Sequence, residues 1–133
     1  MLRKSIVGLS VTAFAVALVA LLPAVSRVQA QEAKPIKVGI VTFLSGAASG
    51  PFGIPARNGA ELLTEAINSG TLPAPYNTKG MAGASVEPIM TDEAGSTTKV
   101  VQDFRALVDR QGADAIVGYV SSGNCLAVAP VAE

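Results

Sequence analysis

Three apolar stretches of strand length alternate along the chain with segments whose apolar residues recur every three or four positions. The first stretch, Ile36-Lys37-Val38-Gly39-Ile40-Val41-Thr42-Phe43-Leu44, is rich in β-branched residues and apolar on both alternating faces after Lys37. That pattern predicts a strand buried on both sides. Small residues punctuated by Gly46, Gly50, Pro51 and Gly53 make 45–53 a loop. Pro55 then suits the first turn of a helix, where its missing N–H costs nothing. Ala56, Ala60, Leu63 and Ile67 form an apolar stripe with Arg57, Glu61 and Glu65 off it, and Gly70 lies past an end near Asn68. Pro73 and Pro75 forbid regular helix in the long connection 69–83.

Ser85-Val86-Glu87-Pro88-Ile89-Met90 reads as a second strand, and Pro88 places it at a sheet edge. After a loop at 92–95, Ser96 or Thr97 can cap a helix whose stripe is Val100, Val101, Phe104, Leu107 and Val108. Gly112 ends it, and Ala115-Ile116-Val117-Gly118-Tyr119-Val120 is the third strand. A loop at 121–124 leads to a last helix over Leu126–Glu133, in which Pro130 predicts a kink or a late start. That helix carries no stop signal, so the chain is expected to be a fragment, the first part of a longer protein.

Strand–helix alternation predicts an α/β fold of three layers, a parallel sheet with helices on both faces. With right-handed crossovers and strand order 2-1-3, winding reverses between strands one and three. The loops at their carboxyl ends, Ser45–Gly53 and Ser121–Asn124, then border a crevice. Its candidate ligand-binding residues are Ser121, Ser122, Gly123, Asn124 and Phe52. The hydroxyls and the open N–H groups of a helix start suit an anion such as a carboxylate, and Phe52 can wall an apolar group. Two other roles stay open: the serines as helix caps, and Phe52 folded onto the core. Asp92 and Glu93 precede a helix and read as charges favoured by its dipole.

Ahead of the fold, Arg3 and Lys4, the apolar run Ile6–Leu22 and the small residues of Val28-Gln29-Ala30 predict a signal peptide over 1–30, cleaved near Ala30. The run also approaches the roughly 17–25 residues of a spanning helix, but Pro23 and the Val-x-Ala site favour cleavage. Arg3, Lys4 and Arg27 fall in this leader, so residues 31–133 keep seven Lys/Arg against ten Asp/Glu, a net charge of −3. Such a surface does not draw nucleic acid. There is no His, which removes the usual general base and metal ligand. The single Cys125 forms no internal disulfide and reads as a small apolar residue packed on a helix. Triad hydrolase chemistry is thereby excluded, and the absence of a Gly-Lys-Ser/Thr or G-x-G-x-x-G loop weighs against a flavodoxin-like enzyme. No catalytic residue, metal or cofactor is expected.

The strand Ile36-Lys37-Val38-Gly39-Ile40 with its Leu44-Ser45-Gly46 exit resembles the start of substrate-binding proteins of branched-chain amino acid ABC transporters. So do Asn58-Gly59-Ala60-Glu61-Leu62 with Ala66-Ile67-Asn68, then Asp92-Glu93-Ala94, Ala115-Ile116-Val117-Gly118, Ser121-Ser122 and 127–133. The likeness covers about Lys34 to Glu133. It implies the incomplete N-terminal lobe, 31–133, of a type I periplasmic binding protein. It further implies a periplasmic location, an amino acid or similar small organic acid between two lobes, and docking on membrane permease subunits. By this resemblance Ser122 stands where a serine holds the ligand carboxylate, and Phe52 where an aromatic lines the pocket. Gly95 and Ser121 stand where members of the type can carry a disulfide, so that bridge is absent. Phe52 lacks the hydroxyl of a related tyrosine, which leaves aromatic acids as competitors for the site. The alternative role for such a lobe is the ligand-sensing input domain of a membrane receptor.

Overall fold

The computed structural model describes residues 33–133, so the leader expected at 1–30 lies outside the described residues. The elements are β1 (Ile36–Thr42), a π-helical turn (Ser49–Gly53), α1 (Ile54–Ser69), β2 (Val86–Asp92), α2 (Thr97–Asp109), β3 (Ala115–Val117) and α3 (Ser122–Ala132). The strands form one parallel sheet in the expected order β2-β1-β3. Register runs from Ile36 opposite Val86 to Thr42 opposite Asp92, and from Val38 opposite Ala115 to Ile40 opposite Val117. Among the described residues β2 pairs only with β1, so Pro88 does sit on an edge strand, where a missing ladder donor is tolerated.

The two faces of the sheet are covered unequally. On one, α2 buries Val100 and Leu107 completely, and Leu107 approaches so closely that a Cβ on Gly39 would lie 3.2 Å from its side chain. On the other, α1 has no fully buried residue. Its stripe residues Ala60, Leu63 and Ile67 instead share a groove of about 450 Å3 with Val38, Ile40 and Val117. The expectation of a strand buried on both sides is corrected accordingly. Only Gly39, Val41 and Thr42 of β1 are fully buried, because the α1 face is half covered.

Local chemistry fixes the element ends. Gly70, at φ 72°, closes α1, and the Asn68 side chain reaches across to the first residue of β2. Its amide nitrogen donates to the Val86 carbonyl at 2.8 Å, and its oxygen accepts from the Val86 N–H at 2.7 Å, as a neighbouring strand would. Ser96 caps α2 by accepting from the Lys99 N–H at 3.3 Å. β3 stops at Val117, three residues short of expectation. Gly118 takes φ 155°, and a Cβ there would stand 2.6 Å from the Val41 carbonyl oxygen, so the chain swings off the ladder at a point only glycine can occupy. The last helix begins at Ser122, ahead of the expected Leu126, and runs through Pro130. Cys125 lies on that helix but is exposed, not packed.

Candidate ligand-binding site at the strand tips

β1 and β3 are adjacent and parallel, so the loops that follow them leave the same end of the sheet side by side. Winding reverses at this pair, which is the position where open α/β sheets form a crevice. The β1 loop turns through the π-helical segment, and Phe52 in that segment is 57% exposed. Phe52 therefore stands out from the core, and the alternative of a folded-down ring is overturned.

The β3 loop is more constrained. Ser121 is the N-cap of α3: its hydroxyl accepts from the Asn124 N–H at 3.4 Å. The capping role held open for this serine is thus what it performs. Ser122 and Gly123 occupy the first turn of α3 and are exposed. Among the described residues their N–H groups meet no protein acceptor, and they join the Ser122 hydroxyl as donors at a positive helix end. Asn124 is buried, and its amide donates to Glu93 Oε1 at 3.2 Å, so its side chain lies beneath the loop and not on its rim.

Asp92 and Glu93 do not serve the dipole of α2, the helix that follows them. α2 starts at Thr97, and neither carboxylate lies in its first turn. Each instead grips one of the two loops. Asp92 Oδ1 accepts the N–H of Leu44 at 2.9 Å, Ser45 at 3.3 Å and Ala94 at 3.0 Å, while Oδ2 accepts the Ser45 hydroxyl at 2.5 Å. Glu93 is buried, at 1% exposure. Its Oε2 accepts from the Val120 N–H at 2.8 Å, and its Oε1 from the Ser121 N–H at 2.7 Å. A buried carboxylate is tolerable only with such compensation. The sequence carried one signal of this: two acids at a strand exit, separated from the helix cap Ser96 by Ala94-Gly95, are too far upstream to serve the dipole.

The electrostatics follow from these contacts. Partial burial acts to raise the Asp92 pKa, but the Ser45 hydroxyl and the N–H groups of Ala94, Leu44 and Ser45 outweigh it and hold the carboxyl below its ordinary value. Tyr119, between the glycine swing and the loop, is pushed up to about 12 by burial, then by the charges of Glu93, Asp103 and Cys125. Among the described residues no three His, Cys, Asp or Glu side chains cluster as a metal site. The arrangement offers a donor-rich helix start after β3 and an exposed aromatic after β1, suited to a small acid with an apolar part.

Comparisons with known proteins agree with the fold. The family model described as periplasmic binding protein matches residues 35–133. A similar solved structure is the branched-chain amino acid transporter substrate-binding protein LivJ of Streptococcus pneumoniae, in complex with isoleucine. It is 26% identical with a TM-score of 0.62, over 74% of this chain and 26% of that one. The leucine-binding protein LivK of Thermotoga maritima, 23% identical with a TM-score of 0.60 over 74% of this chain and 25% of its own, shares the fold. An ABC transporter substrate-binding protein of Sphaerobacter thermophilus is 26% identical, with a TM-score of 0.54 over 73% of this chain and 23% of that one. The chain thus spans about a quarter of the length of these proteins. No curated protein matches it.

Proposed function

The chain belongs to the periplasmic binding protein family, and from that premise we propose that it forms part of the N-terminal lobe of an exported solute-binding component of an ABC importer. Residues 1–30 act as the export leader, and the mature protein begins near Gln31 in the periplasm. Its ligand is a branched-chain amino acid or a similar small organic acid, aromatic acids included. The loaded protein delivers that ligand to membrane permease subunits.

In this reading the ligand carboxylate sits at the start of α3. The Ser122 hydroxyl and the N–H groups of Ser122 and Gly123 donate to it, and the helix end adds partial positive charge. Phe52 flanks the apolar part of the ligand. Ser121 and Asn124 shape the loop as cap and buried support. A second lobe supplies the opposite wall and closes by hinge motion.

The single observation that carries the proposal is the adjacency of β1 and β3, with an exposed helix start at one tip and an exposed aromatic at the other. Calorimetry on the whole protein with isoleucine, leucine, valine and benzoate tests it. Binding of at least one of them is expected, and Ser122→Ala should weaken it by about 1–3 kcal/mol through loss of a hydrogen bond to a charged group. Absence of binding by all four removes the ligand class. An unchanged dissociation constant in the variant removes Ser122 from the site.

A further inference from the structure

The carboxylates of Asp92 and Glu93 are adjacent in sequence, and they hold different loops. Asp92 holds the start of the β1 loop through Leu44 and Ser45. Glu93 holds the start of the β3 loop through Val120 and Ser121, and takes a third bond from Asn124 inside α3. The two loops therefore share one rigid base, the end of β2. We infer that Asp92 and Glu93 are paired positioning residues, a brace that sets the two ligand-contacting loops relative to each other. This inference rests on the proposed ligand site and deepens it.

The physical case is one of donor arithmetic. Val120 and Ser121 lie where β3 has left the ladder, so their N–H groups have no strand partner. Without an acceptor they would be costly to bury. Glu93 supplies one oxygen to each, and its full negative charge makes both bonds charge-assisted. Because Ser121 is also the N-cap of α3, fixing its backbone fixes the direction in which the Ser122 and Gly123 donors point. Asp92 does the same for the Leu44–Ser45 corner, from which the chain proceeds to the turn bearing Phe52. Neither side chain need touch ligand. An error of an ångström in loop placement would cost affinity all the same.

Glutamine keeps the volume of Glu93 but replaces one acceptor oxygen with an NH2 group. It cannot receive both the Val120 and Ser121 N–H groups. Asparagine at Asp92 keeps an acceptor for the N–H cluster and can donate its NH2 to the Ser45 hydroxyl, but it carries no charge, so every one of these bonds loses its charge assistance. The test uses the full-length protein with E93Q and D92N, measured by hydrogen exchange without ligand and by calorimetry with isoleucine.

E93Q is expected to speed exchange over 118–122 and leave 43–47 unchanged; D92N is expected to do the reverse. Each should weaken isoleucine binding by about 10-fold or more, the loss of charge assistance at one loop carried into the ligand site. Unchanged exchange in both variants overturns the brace. Faster exchange with an unaltered dissociation constant overturns the positioning role and leaves a purely structural one. If E93Q does not fold, D92N at its less buried site decides alone on the same two readouts. If the wild-type protein ignores isoleucine, the ligand reading fails and the positioning role fails with it, while exchange still decides whether the brace exists.

Discussion

Tyr119 concentrates several of the forces that shape the site. It follows the glycine that swings the chain off β3 and precedes the two N–H groups held by Glu93. Burial, and then the negative charges of Glu93, Asp103 and Cys125, favour its neutral form and push its pKa up to about 12. The unfolded chain, with a tyrosine value near 10, ionises first. The neutral phenol therefore adds stability that is fully present below about pH 10 and is lost as pH rises toward about 12. Tyr119→Phe should flatten the alkaline limb of a stability curve measured by urea unfolding between pH 9 and 12. An identical slope in wild type and variant would show that Tyr119 does not carry the effect. Asp92 works in the opposite sense: its lowered pKa gives stability that is present above its unfolded value of 3.8 and lost as pH falls through the folded one.

At the scale of elements, periodicity made the three strands and three helices readable, because each packs one defined stripe. Ala56, Ala60, Leu63 and Ile67 do face the sheet side of α1, and Val100 and Leu107 do bury on α2. The boundaries were less legible, and the reasons are tertiary. β3 ends early because the Val41 carbonyl leaves room only for glycine at 118. The turn at Ser49–Gly53 has no apolar repeat to announce it. The roles of Asp92 and Glu93 are hidden in the sequence because their partners are as many as 48 residues away in the chain and are mostly backbone groups, which carry no residue-type signal. Asn68 belongs to the same class. A polar residue in the last turn of α1 looks unremarkable, yet it completes both hydrogen bonds of Val86 at the start of an edge strand. Asn68→Ala leaves those two groups without their partner and should cost about 1–3 kcal/mol in chemical denaturation. Exchange should rise first at the start of β2. A loss below 0.5 kcal/mol would mean that water replaces the side chain without penalty.

At the largest scale, the uneven covering of the sheet decides how residues 33–133 behave as an isolated polypeptide. Among the described residues β3 pairs only with β1, so its far edge offers unpaired backbone groups. Beside that edge Val117 is 60% exposed, and across the groove Leu63 is 52% exposed. The groove between them is apolar and holds about 450 Å3. An open edge next to exposed apolar surface is a template for association. The polypeptide alone should bind the dye ANS and self-associate at micromolar concentration. On the proposed two-lobed reading it should bind isoleucine far more weakly than the full-length protein, because residues 33–133 then supply one wall of the crevice. Light scattering, dye fluorescence and calorimetry run in parallel on the isolated and full-length chains check this. A monodisperse isolated chain that ignores the dye would mean that α1 moves to cover the sheet in solution. Micromolar binding of isoleucine by that chain would place the whole affinity in the two loop tips.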